Sequence, residues 1–266
     1  MPEAGQGTAE HLRVLTTFFA DLQRLTEIAK VLETGLGVAT DEQVRSNVSF
    51  LAVKFEIERE WELDEARLAS QRWLQTRLMQ DLMDLTGTFL EECLTACEVL
   101  SRDAPLKEDE LCRLRKRHND LNFPTKVEWL KTRYGFKGAQ LADAQTLNAL
   151  RNCLVHRDGI VADKDVGSSG SLSCTLLGLR MVLQDAQGQE RVLEGPQVHV
   201  PEGQTAKVTF QHVSATMSFP VGSQVVLGPF DVVCVLLTLG QMGMQCSEDL
   251  SAWAATQQTA SGRQQG

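Results

Sequence analysis

Between Trp73 and Leu100 apolar side chains return mostly at three- or four-residue steps: Trp73, Leu78, Leu82, Leu85, Phe89, Cys93, Ala96 and Leu100. Sustained over about seven turns, that period lays one apolar stripe along one long helix, and such a stripe must be covered by other helices. A chain with this segment is expected to fold as a helical bundle around it. The same period appears in Leu15, Phe18, Leu22, Leu25, Ile28 and Leu32, within Thr8 to Glu33, and in Leu141, Ala144, Leu147, Leu150 and Leu154, within about Gln140 to His156. Gly35 and Gly37 stop the first of these helices, and Gly159 stands where a C-terminal cap of the other would fall. Thr40 with Gln43 makes a capping box for a further N-terminal helix, favoured over the strand that alternating Leu51, Val53, Phe55 and Ile57 would also suit. A short basic helix is expected from about Lys107 to His118 and another through Val127, Leu130 and Tyr134 to near Gly135, with a turn over Asn119 to Pro124 between them.

Past Gly159 the period changes. Gly167 to Ser171 reads as a flexible link, after which Leu176 to Leu183, Arg191 to Val200, Ala206 to Val213 and Thr216 to Leu227 read as short antiparallel strands. Phe230 to Ala255 then reads as a closing apolar helix and Gln257 to Gly266 as a disordered polar tail. The most apolar run, Phe230 to Leu239, is about half the ~20 residues a membrane-crossing helix needs and carries Asp231, so a core helix and no membrane partner are expected. The expected organisation is an N-terminal helical extension over 1–68, a helical core over 69–162, a β-rich insert over 168–228, a closing helix over 229–256 and a tail over 257–266. The fold class is mainly α, in the α+β sense: an antiparallel helical bundle with extra N-terminal helices and a small antiparallel β insert before the last helix.

A net charge of −9 argues against nucleic-acid binding by the whole surface. The charge is segregated, however. Residues 1–106 carry 10 basic and 19 acidic side chains, residues 107–160 carry 11 and 7, and residues 161–266 carry 5 and 9. The middle segment alone is net positive, and it holds Arg113, Arg115, Lys116, Arg117 and His118, which suit either a patch that steers RNA or a solvated helix face. The run from Glu56 to Glu65 reads as a solvated face. Met1 to Gly7 lacks the basic flank and apolar core of a signal peptide, so a cytoplasmic chain is expected. Seven scattered cysteines without a CxxC pair read as reduced thiols, with Cys93 and Cys97 acting as small hydrophobes. Trp61, Trp73, Trp129 and Trp253 read as core anchors, His199 and His212 as structural, and His11 as surface or packing. Gly35-Leu36-Gly37 lacks the third glycine and preceding strand of a nucleotide loop, and no cofactor is expected.

One constellation carries chemistry. Arg151, Asn152 and His156 stand at the end of an amphipathic helix, followed by Arg157-Asp158-Gly159. Asn152 and His156 are four residues apart and share a face, whereas Arg151 lies about 140° round the helix from His156. A histidine to move a proton, an arginine to stabilise phosphate charge and a polar amide are the parts needed for metal-independent RNA cleavage. The same residues also suit a plain structural role, with Arg151 and Asn152 capping or salt-bridging a bundle helix and His156 buried and satisfied.

The string Arg151-Asn152-x-x-x-His156, continued by Arg157-Asp158-Gly159 and set on a penultimate bundle helix, resembles the R-x(4 to 6)-H motif of the HEPN superfamily, and the tail from Leu154 to Gly159 is similar to that of HEPN proteins from defence and toxin–antitoxin loci. The resemblance covers roughly Ala69 to Val161 and Phe230 to Ala255; the N-terminal helices and the β insert depart from minimal HEPN domains. It implies a four-helix core, a homodimer that brings two motifs together into one composite endoribonuclease site, and action as a toxin or anti-phage effector with an antitoxin or other regulatory protein as partner. By position, Arg151 would contact the scissile phosphate, His156 would act as general base or acid for attack by the ribose 2′-OH, and Asn152 would orient the site. Arg157 and the Arg113, Arg115, Lys116 and Arg117 cluster would bind the RNA. The alternative reading is a non-catalytic interaction or sensing module that binds a protein or a nucleotide.

Overall fold

The computed structural model describes residues 16–25, 27, 63–102, 104–167, 170–184, 188–192 and 207–263. The expected helix after Thr40, the acidic run from Glu56 as far as Glu62, Trp61, His11, His199, Gly35 and Gly37 lie outside these residues, as does most of the expected strand from Arg191 to Val200.

The long apolar period becomes α2, Leu63–Leu100, a helix of 38 residues; before it, residues 16–25 form α1. Leu78, Met79, Leu82, Met83, Phe89, Leu90, Cys93, Leu94 and Cys97 are buried along α2, and the helix packs against α1, where Phe18 meets Phe89, and against α3 (Glu108–Asn119), α4 (Phe123–Tyr134), α5 (Ala139–Arg157) and α6 (Pro229–Arg263). Trp73 departs from the expected core role, because it is 70% exposed at the N-terminal end of the stripe. Trp129 and Trp253 do pack against the core.

Local chemistry sets the short helices. At α3 the Glu110 carboxylate accepts the Lys107 backbone N–H at 3.1 Å. At α4 the Asn122 side chain accepts the Thr125 N–H at 2.9 Å, Pro124 lies in the first turn, and Gly135 closes the helix at φ 70°. The turn expected over Asn119 to Pro124 is thus narrowed, since Asn119 ends one helix and Phe123 begins the next.

The β region is a three-stranded antiparallel sheet of order β2-β1-β3, with β1 at Ser171–Gln184, β2 at Glu190–Val192 and β3 at Lys207–Pro220. β1 and β3 pair without a break from Ser171↔Pro220 to Gln184↔Lys207. The two separate strands expected over Ala206 to Val213 and Thr216 to Leu227 are therefore one strand, and residues 221–228 instead form a turn and an irregular run into α6. Ser214 and Ala215 are small, but neither forces a turn, and opposite Leu177 and Leu176 the ladder continues through them.

Helix α6 crosses the inner face of β1. A Cβ on Gly178 would lie 3.7 Å from Cys234 Sγ, and the Leu177 backbone N–H donates to Thr238 Oγ1 at 2.8 Å. Phe230–Gln257 is long and apolar enough to span a membrane by length and composition, yet Val235, Leu239, Met242, Cys246 and Leu250 are buried in the common core. The helix continues to Arg263, which corrects the expectation of a disordered tail from Gln257. No Gly or Pro falls between Gln257 and Ser261, so nothing there stops the helix. The molecule is thus mainly helical with a small antiparallel sheet inserted before the last helix, as expected.

Candidate functional site

Helix α5 buries Leu141, Ala144, Leu147, Leu150, Cys153 and Leu154 and presents its other side outward. Its end is built by two successive left-handed residues, Asp158 at φ 52° and Gly159 at φ 75°, so the cap expected at Gly159 is shared with the residue before it. Both positions tolerate this conformation, an Asp by its short polar side chain and a Gly by its lack of one. The chain leaving the helix is then stitched to the segment entering α6: Gln224 Nε2 donates to Asp158 O at 2.6 Å, Val225 N to Gly159 O at 2.8 Å and Val161 N to Ser223 O at 3.0 Å.

Arg157, expected to meet RNA, belongs to this seam. Its Nε donates to Asp165 Oδ2 at 2.7 Å, a second guanidinium nitrogen meets Oδ1, and Oδ2 also accepts the Ala162 N–H at 2.9 Å. The two side chains are 16% and 5% exposed. The Arg157-Asp158-Gly159 continuation of the motif is accounted for by this structural work.

Of the remaining three motif residues His156 is exposed, whereas Arg151 and Asn152 are partly buried. Arg151 Nη1 donates to Asn152 Oδ1 at 3.1 Å, which ties the guanidinium to a residue on the face that His156 shares. His156 is exposed, which removes the reading of it as a buried, satisfied histidine. Arg151 is half-buried; its Nη2 lies 3.5 Å from Asp84 Oδ1 on α2, and its Nε is buried with no hydrogen-bond partner.

Asp84 belongs to a pattern that the sequence reading missed. Asp84, Glu91 and Glu98 are seven residues apart and lie on one face of α2. Each meets a cation from a different helix: Asp84 meets Arg151 of α5, Glu91 meets Lys126 of α4, and Glu98 meets Arg117 of α3. Glu92 adds Arg115 at 3.5 Å, and Arg113 pairs within α3 with Asp109 at 2.8 Å. The positive charge of residues 107–160 is thereby matched by the acidic edge of α2. Lys116 is exposed, and Arg113, Arg115 and Arg117 are solvent-accessible while paired with carboxylates, as on a solvated helix face. The signal for the stripe was legible as carboxylates at heptad spacing beside the apolar stripe.

His118 also leaves the cluster, because it is fully buried between α2 and α3. Its Nδ1 lies 2.9 Å from Thr95 Oγ1 and its Nε2 3.4 Å from Glu98 Oε2, and the ring meets Trp129 edge-on. Burial, and secondarily the charge of Arg117, holds its pKa below the ordinary histidine value, with Glu98 opposing. His212 is exposed on β3 opposite Leu179. Six of the seven cysteines are buried and Cys112 is exposed; all are free thiols. Among the described residues no three His, Cys, Asp or Glu side chains gather where a metal ion could be held.

Against family models, curated proteins and solved structures, the chain gives no significant match.

Proposed function

We propose that the chain is a metal-independent endoribonuclease of HEPN type. The observation that carries the reading is the trio on the last turns of α5, with partly buried Arg151 donating to Asn152 and His156 exposed one turn beyond Asn152 on the same face. In the proposed reaction His156 takes the proton from a ribose 2′-OH, whose oxygen attacks the adjacent phosphorus. Arg151 stabilises the charge that develops on the phosphoryl oxygens, and the 5′-oxygen leaves to give a 2′,3′-cyclic phosphate end. One trio supplies one histidine, and two copies of α5 facing each other in a homodimer would supply both the base and the acid. The helices α2, α4, α5 and α6 would then be the HEPN-like core, and a toxin or defence role, with an antitoxin or regulatory partner, follows from the resemblance.

The test is incubation of the purified protein with tRNA or total RNA in EDTA, beside Arg151→Ala, His156→Ala and the double variant. Cleavage that yields cyclic phosphate ends and disappears in each variant supports the reading. A double variant that cleaves as the parent does sinks it.

A non-catalytic interaction module is the second reading, favoured by the sheet. Phe210 is 64% exposed and Val208 43% exposed on the face of β3 turned away from the bundle core, a surface suited to a protein partner.

A further inference from the structure

We propose that Asp84 is an internal competitor for the anion site of Arg151: in the resting protein its carboxylate occupies the guanidinium, and a substrate phosphate displaces it. This rests on the reading of Arg151 as the phosphate contact and adds to it a regulation of that contact.

Of the three α2 carboxylates at heptad spacing, Glu91 and Glu98 are enclosed, at 18% and 19% exposed, and hold their cations as parts of the packing. Asp84 is 62% exposed, and its 3.5 Å approach to Arg151 is beyond ordinary hydrogen-bond length. Arg151 is correspondingly under-used. A guanidinium has five N–H donors, yet this one gives a hydrogen bond to Asn152 while its buried Nε donates to nothing. The Nε and Nη2 side of an arginine is the fork that takes two oxygens of a phosphate side-on. Here Nε is enclosed by the packing without a partner and Nη2 meets Asp84 at 3.5 Å, so Nη2 is the donor for which a phosphate oxygen competes. The Asp84 side chain is itself well exposed and its contact long, so its carboxylate can swing into solvent at little cost. While it stays, its negative charge repels an incoming phosphate from the same donor.

The test is binding of a 2′-O-methyl RNA oligonucleotide, which has no free 2′-OH and is not cleaved, measured by fluorescence anisotropy in a double-mutant cycle of Asp84→Asn and Arg151→Ala. Inorganic phosphate serves as competitor. Asp81→Asn controls for general loss of negative charge, since Asp81 is on the same helix but pairs with Arg77. Asp84→Asn is expected to tighten binding of this RNA about three- to fivefold. Asp81→Asn should change binding less, and the gain from Asp84→Asn should vanish in the Arg151→Ala background. If the parent binds more tightly than Arg151→Ala but Asp84→Asn brings no gain, or the same gain without Arg151, the competition is overturned while the phosphate contact stands. If the parent and Arg151→Ala bind alike, the phosphate contact falls and the competition with it.

Discussion

Arg157 and Asp165 are joined side-on, Nε to Oδ2 at 2.7 Å and a second guanidinium nitrogen to Oδ1, and the same Oδ2 accepts the Ala162 N–H. Eight residues separate the two, so the pair closes the loop that leads from α5 to the sheet. Both are largely withdrawn from solvent, and removing one partner leaves the other charge buried and unpaired. Asp165→Ala or Arg157→Ala is expected to cost about 3 kcal/mol of unfolding free energy. Arg157→Lys should recover only part of this, because an ammonium lacks the planar fork. Urea denaturation followed by circular dichroism checks it; variants as stable as the parent would show that the pair does not hold the loop.

Gly159 gives the second prediction. At φ 75° an alanine is strained in any surroundings, and its Cβ would also come 2.6 Å from Gln224 Nε2, the group that donates to Asp158 O. Gly159→Ala is expected to cost about 1–2 kcal/mol. Gln224 is the flexible end of the clash, so Gly159→Ala with Gln224→Ala should cost less than the two single changes added together. Thermal unfolding of the four proteins measures the coupling; strict additivity would mean that the amide moves aside freely.

The elements legible in the sequence were those whose burial repeats at a fixed period. Leu78, Leu82, Phe89 and Cys93 on α2, and Leu141, Ala144, Leu147, Leu150 and Leu154 on α5, announced their helices because one face of each is covered by neighbours. Asp84, Glu91 and Glu98 are equally periodic, but carboxylates on a helix are ordinarily solvated, and only the arrival of Arg151, Lys126 and Arg117 from three other helices gives them a packing role. The same cause misplaced Arg157, whose partner Asp165 has no local pattern to mark it. In sequence His118 stands among basic neighbours, but a position one residue along a helix turns to a different face, here into the core. Among the candidate site residues, His156 and Asn152 shared a face by spacing alone, whereas the hydrogen bond that brings Arg151 to Asn152 depends on side-chain conformation.

Thiol chemistry supplies a third prediction. Burial pushes the pKa of Cys97 and of Cys174 up to about 12 and raises those of Cys93, Cys153, Cys234 and Cys246 as well, so at neutral pH these six are protonated and shielded. Cys112 is exposed on α3. A thiol-specific chromogenic disulfide at pH 8 should therefore modify one cysteine rapidly, and Cys112→Ser should abolish that phase. The remaining thiols should react only as the protein unfolds in denaturant. A second rapid thiol in the native Cys112→Ser protein would contradict the buried positions.

His118 makes stability depend on pH, and the sign follows from its surroundings. Its folded-state pKa is depressed by burial and by Arg117, with Glu98 and Glu91 partly opposing. The unfolded chain, at about 6.5, takes up a proton that the folded protein resists. Stability from this site is thus complete above about pH 6.5 and is lost as pH falls from there toward the depressed folded value. Replacing His118 by glutamine removes the titration and also the contact with Thr95 Oγ1, and at pH 7.5 it is expected to cost about 1 kcal/mol. Below pH 6.5 the parent alone carries the protonation cost, so the gap between parent and His118→Gln should narrow as the solution is acidified. Urea midpoints at pH 7.5, 6.5 and 5.5 measure the gap, and the paired comparison cancels the titration of groups common to both proteins. A gap that widens toward pH 5.5 would mean that Glu98, 3.4 Å from Nε2, stabilises the imidazolium by more than burial opposes it, and the predicted sign would be reversed.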